Sequence, residues 1–277
     1  MAEIGKKSKL TVVKRVDFGM YLDGGELGEI LIPNRYVPVG CKPDDELEVF
    51  VYRDSDDRPI ATTEEPYAQV GQCGHLQVAS TSDFGAFMKW GVMKDLLVPF
   101  KHQRTPMHEG KSYTVFVFID SSGRIAGSSK LNEHLKEEDD GQFFAEGQAV
   151  DLLVASRSDM GYKVVINNTH LGLIHHSDLL SKIYVGDKTE GYIKTLREDG
   201  KIDVTLQPFG EEGRDMLVND ILEFLKAEGG SMDITDKSSP KEILQAFGVS
   251  KSSFKKALGR LYKEKRILIG KDYVRLV

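Results

Sequence analysis

The chain has 277 residues, 40% of them hydrophobic, with 37 Lys and Arg against 43 Asp and Glu. That length suits several small domains or two ordinary ones, and the apolar fraction is too high for disorder to be the expectation. A net charge of −6 excludes a protein that coats nucleic acid by bulk basicity, because counterion release needs many cations facing phosphates.

From the N-terminus, MAEIGKKSKL carries no apolar signal segment, and no run approaches the roughly eighteen apolar residues of a membrane span. The expectation is a cytoplasmic protein with no membrane contact. Cys41 and Cys73 lack CxxC spacing and read as free thiols.

Three stretches then share one pattern: LTVVKRVDFGMYLDGGELGEILIP, HLQVASTSDFGAFMKWGVMKDLLVP and DLLVASRSDMGYKVVINNTHLGLIHHSDL. The D-[FM]-G element begins at Asp17, Asp83 and Asp159, so the repeats are domain-sized. Each unit holds about five short runs rich in Val, Ile, Leu and aromatics, broken by Gly, Asp and Pro, which predicts strands and turns. Small all-β units of five strands usually close into barrels. Gly19, Gly85 and Gly161 interrupt a strand pattern and predict a bulge or corner. Phe18 and Tyr21, like Phe84 and Phe87, are three apart, so a bulge at the glycine would bring both rings to one face. The connector Lys130–Gly147, with acidic residues from Glu137 to Asp140 and the pair Phe143 and Phe144, reads as a solvated turn or short helix end.

From Arg214 the period changes, and 13 Lys and Arg stand against 9 Asp and Glu. Leu217, Ile221, Leu222 and Leu225 predict an amphipathic helix stopped by Gly229 and Gly230. A strand-like Met232–Thr235 follows. Ser239, Pro240 and Glu242 form a capping-box start for a second helix ending at Phe247 and Gly248. Ser250 caps a third, with Phe254, Leu258 and Leu261 on its apolar stripe and Lys251, Lys255, Lys256, Arg260, Lys263, Lys265 and Arg266 elsewhere. Two helices joined by a short Gly-containing turn are the helix-turn-helix pattern. The tail from Ile267 predicts a hairpin turning at Gly270–Asp272, a wing.

The motif Asp83-Phe-Gly-Ala-Phe87, followed by Asp95-Leu-Leu-Val-Pro99 and Asp120-Ser-Ser-Gly-Arg124, resembles the S1 domain of the oligonucleotide-binding (OB) fold. That resemblance implies an RNA-facing surface of two aromatics, a His, an Asp and a basic hairpin residue. Carried over, it implies Phe84, Phe87, Asp120 and Arg124 in the second repeat, with Val98 at the His position. In the first it implies Phe18, Tyr21, Asp54 and Arg58, with Ile32 at that position. The third has Met160 and Lys163 for the aromatics, Arg197 for the Asp, and keeps His175 with Lys201 in its hairpin. Three S1-like units and a winged helix, in this order, resemble the conserved virulence factor B family of bacterial RNA-binding regulators over nearly the full chain.

The expected fold is therefore mainly β, three tandem S1-type five-stranded barrels at 1–65, 66–130 and 147–210, then an α+β winged helix at 214–277. The expected partner is single-stranded RNA, with stacking on the first two barrels and phosphate contact through the third barrel and the basic helix. Two rivals stand beside it: a duplex-DNA regulator reading through the third helix, and a protein-interaction scaffold on the ribosome. Against the first, no dimerisation helix is evident, and a monomer is expected. No phosphate loop, HExxH or GxSxG motif occurs, so no enzyme is expected. His170, His175 and His176 lack a completing ligand set, so no metal or other cofactor is expected.

Overall fold

The computed structural model describes residues 1–139, 141–208 and 210–277. Asp140 of the acidic run and Phe209 near the end of the third repeat lie outside the described residues. The chain divides into two compact units, Met1–Leu135 and Lys136–Val277.

In the first unit, β1 (Lys7–Val16), β2 (Gly19–Asp23), β3 (Glu29–Pro33), β4 (Glu46–Arg53) and β5 (Pro59–Thr62) form a closed barrel in the order β1-β2-β3-β5-β4. Alternation fills it: Leu10 and Val12, Met20 and Leu22, Ile30 and Ile32 point inward at period two. A parallel bridge between Leu31 and Ile60 closes the ring.

The second set is β6 (Cys73–Ser82), β7 (Gly85–Lys89), β8 (Leu96–Pro99), β9 (Ser112–Ile119) and β10 (Ile125–Ser128). It forms a near-barrel, a five-stranded sheet in the order β10-β9-β6-β7-β8 whose two edge strands share no ladder. Side chains of β8 occupy the seam: a Cβ built on Gly127 would lie 2.9 Å from Val98 Cγ2 and 3.1 Å from Leu96 Cδ2. The edges thus meet through apolar contact, not a ladder.

These two sheets are not beads on a string. Phe50 and Tyr52 of β4 are buried in one core with Trp90, Val92 and Met107, and the Phe50 and Trp90 rings meet edge to face at 5.5 Å. Gly5 threads the junction, its N–H donating to Val51 O and its carbonyl accepting from Val70 N. A Cβ there would lie 2.2 Å from Val70 Cγ2, at φ +82°, so only glycine fits.

In the second unit, β11 (Ala149–Arg157), β12 (Gly161–Ile166), β13 (His170–His175), β14 (Lys188–Leu196) and β15 (Ile202–Thr205) close a barrel in the order β11-β12-β13-β15-β14. The connector packs onto it. Asp139 is buried and accepts from the N–H groups of Phe143 and Phe144, and Phe144 enters the barrel core. The acidic run is therefore no simple solvated turn: at Asp139 its carboxylate caps a bend that delivers an apolar anchor.

The rest is a winged helix: α1 (Gly210–Ala227), β16 (Ser231–Met232), α2 (Pro240–Phe247), α3 (Lys251–Lys263), β17 (Ile267–Ile269) and β18 (Val274–Leu276), with sheet order β16-β18-β17. The capping box at Ser239 and Glu242 forms, and Gly248 ends α2 in the left-handed region. The strand read at Met232–Thr235 stops at Met232. Thr235 instead exchanges hydrogen bonds with Ser238 in a turn that leads to the α2 cap. Among the described residues no helix is long and apolar enough to cross a membrane.

Candidate nucleic-acid interface

The three repeats place equivalent residues at equivalent points, and strand register gives the equivalence. Gly19 pairs with Pro33, Gly85 with Pro99 and Gly161 with His175. His175 thus corresponds to Pro33 and Pro99. The assignment of Ile32 and Val98 to the His position was one residue out, because both point into the cores with no exposure. The glycines also differ from expectation. The register shifts fall on the partner strands, at Val12/Lys14, Val78/Ser80 and Val154/Ser156. What the glycines provide is close approach: a Cβ at Gly19 or Gly85 would lie 2.2 Å from a carbonyl oxygen of the neighbouring strand.

Phe18 and Phe84 therefore sit in the turns before these glycines, outside the strands, and are 58% and 75% exposed. Tyr21 and Phe87 follow on the strands, half-buried. The Phe18 and Tyr21 rings lie edge to face at 6.5 Å, with Lys14 Nζ 5.0 Å from the Tyr21 centroid. In the second sheet Phe100 is also exposed, at 57%, and its backbone N–H donates to Phe84 O. The repeat comparison missed Phe100, although a Phe directly after the Leu-Val-Pro run was visible.

Beside Phe87 a cleft of about 400 Å³ is lined by Trp90, Leu97, Asp120 and Arg124 from the second sheet and by Tyr52, Arg53 and Asp57 from the first barrel. The last three were not anticipated, since only the packing of one barrel on the next brings them there. Arg124 reaches across to Asp57 at 3.3 Å. Asp120 Oδ1 accepts from Ser122 N, Ser122 Oγ and Arg124 N at 2.8, 2.6 and 3.1 Å, shaping the hairpin tip. Burial works against its charge, yet these donors hold its carboxyl below the usual range. Asp54 does the same in the first barrel, and Arg58 closes on it with two bonds of 3.0 and 2.8 Å.

In the third barrel Met160 is exposed in the turn and Lys163 on the strand. A cleft of about 440 Å³ lies against them, lined also by Leu171, Leu173, Arg197, Lys201 and Asp203. Asp203 is the residue the sequence comparison overlooked. Its carboxylate accepts from Arg197 Nε at 2.8 Å and from the terminal nitrogen at 2.6 Å, and His175 Nε2 lies 3.0 Å away. Lys201 pairs with Asp199 at 3.2 Å. Of the three cations expected here, only Lys163 faces the cleft without a carboxylate partner among the described residues.

Partial burial opposes the charge on Asp203, but hydrogen bonds from Arg197 and His175 outweigh it and hold its carboxyl below the usual range. A depressed folded-state pKa gives stability that is complete above the unfolded carboxylate value and is lost as pH falls through the folded one. Asp203→Ala strands the half-buried Arg197 and is expected to cost about 1–3 kcal/mol near neutral pH. Urea midpoints of the two proteins should converge in acid.

On α3, Phe254, Leu258 and Leu261 are buried, so Ser252, Lys256, Gly259 and Lys263 form the outward line at helical spacing. Lys256 and Lys263 are exposed. The other cations are engaged: Lys251 Nζ donates to the carbonyls of Lys237 and Ser238, Arg260 pairs with Asp215 and Glu264, and Lys255 stands 3.9 Å from Asp236.

A family model described as an S1 domain matches residues 4–64 and 70–130, and one described as a CvfB-like winged helix domain matches 219–276. The chain belongs to the CvfB-like family. This CvfB-like chain is 26% identical to YitL of Bacillus subtilis (strain 168), an uncharacterized protein, over 95% of its own length and 90% of the relative's. It is 27% identical to conserved virulence factor B of Staphylococcus epidermidis (strain ATCC 12228 / FDA PCI 1200), covering 81% and 78%, and of Staphylococcus aureus (strain N315), covering 82% and 79%. A Streptococcus pneumoniae structure, described as a multidomain protein with nucleic acid binding domains, aligns over 99% of this chain and 98% of that one at 23% identity, with a TM-score of 0.41. The family architecture is nucleic-acid-binding and non-catalytic.

Proposed function

We propose that this chain binds single-stranded RNA in the bacterial cytoplasm and regulates gene expression after transcription. The observation that carries the reading is the pair of exposed rings, Phe18 and Phe84, at equivalent turns beside half-buried Tyr21 and Phe87. Every base has a π-face, so such rings suit unpaired strands of many sequences. Most hairpin cations are already paired with carboxylates, which favours stacking over phosphate attraction as the main source of affinity. Several modest sites on one chain raise avidity through effective concentration. The regulatory role rests on the family resemblance.

The outward line of Lys256 and Lys263 on α3 favours a second reading, duplex DNA in the groove of a winged helix. Fluorescence-anisotropy titrations of labelled single-stranded RNA and matched duplex DNA, at two salt concentrations, separate the two. RNA should bind more tightly, and Lys256→Ala/Lys263→Ala should flatten the salt slope by about 1 per lysine engaged. Tighter duplex binding that this double variant removes would establish the transcription-factor reading instead.

A further inference from the structure

We propose that His102, Glu133 and His134 form a binding site for a divalent transition metal ion, best suited to Zn2+. Donor atoms of the three residues lie within 4.8 Å of one another. His102 Nδ1 and His134 Nε2 are both buried without a hydrogen-bond partner. An unpartnered buried polar atom costs about 1–3 kcal/mol, and folded proteins rarely keep one without a reason. Two such nitrogens in one cluster, beside a carboxylate, have a common solution in one cation that accepts a lone pair from each.

The surroundings suit a ligand set. The Phe116 ring stacks on His134 at 4.9 Å, and Phe118 contacts both imidazoles at 4.7 and 5.0 Å, fixing their orientation. Serine donors from Ser128 Oγ and Ser129 N hold the His102 carbonyl. Glu133 is half-exposed and bound only loosely to Lys130, at 3.6 Å, so it is free to turn inward. Two imidazoles with one carboxylate suit Zn2+ and disfavour Mg2+ and Ca2+, which take oxygen ligands.

The position gives the ion a task. His102 ends the short 3-10 turn after β8, and Glu133 and His134 follow β10, the two strands whose edges do not pair in a ladder. A metal bridging them would clasp the open side of the second sheet.

The test is isothermal titration of the full chain, stripped by chelator, with Zn2+ alone, backed by Co2+ absorption and thermal melts. The expected result is one ion per chain, a higher melting midpoint with Zn2+, and intense Co2+ ligand-field bands. His134→Gln should abolish binding, and His170→Ala, a buried imidazole outside the cluster, should leave it unchanged. Since His134→Gln also disturbs packing on Phe116, Glu133→Gln decides: it keeps the metal-free melting midpoint and weakens Zn2+ by at least the roughly tenfold that losing even an outer partner costs. No saturable binding to wild type, or equal affinity in wild type and Glu133→Gln, overturns the proposal.

Discussion

Phe84→Ala is expected to weaken single-stranded RNA binding by about 1–3 kcal/mol, the range for losing one base–aromatic stack. The side chain is 75% exposed, so alanine removes no core contact, and the thermal midpoint should move no more than an ordinary surface change, about 0.5 kcal/mol. Stacking releases no counterions, so the loss should be nearly the same at low and high salt. That separates it from any lysine change on α3. Anisotropy at two salt concentrations with a melt of each protein makes the measurement. An unchanged affinity would mean that the exposed rings are not base platforms.

Phe254→Ala should have the largest effect on stability, about 3–5 kcal/mol, the cost of emptying a well-packed aromatic site. Phe254 has no exposure and stacks on Phe247 at 4.9 Å, joining α3 to α2 in a core that also holds Ile221, Ile243 and Ile267. All three α-helices of the described residues lie in this domain, so the helical band of far-UV circular dichroism reports its unfolding. The first two β units lie in the other compact unit, so their RNA affinity and its dependence on Phe84 should survive. Loss of that dependence in Phe254→Ala would show that the stacking surface needs the winged helix.

Much of this architecture was legible in one dimension, because local physics wrote it there. The period-two alternation of Leu10 and Val12 or Met20 and Leu22, the capping box at Ser239, and the helical spacing of Phe254, Leu258 and Leu261 each depend on neighbours a few residues away. The recurrence of Asp17, Asp83 and Asp159 then counted the barrels. The exposed rings Phe18 and Phe84 were legible through the repeat, although the geometry behind their exposure is a turn and not a bulge at the glycine.

What the tertiary structure alone decided are relations between residues far apart in sequence. Register moved the His position from Val98 to Pro99, since a shift of one residue turns a strand position from surface to core. Packing of β4 against Trp90 brought Asp57 to Arg124, and strand pairing set Asp203 beneath Arg197, leaving cations that looked free already neutralised. His102 and His134 lie in segments between or beyond the strand patterns, where periodicity says nothing, and only the fold of the open sheet brings them together. Sequence determines which elements form because hydrogen bonding and side-chain alternation are local. Which charges stay available and which imidazoles converge depends on burial, and burial exists only once the chain has folded on itself.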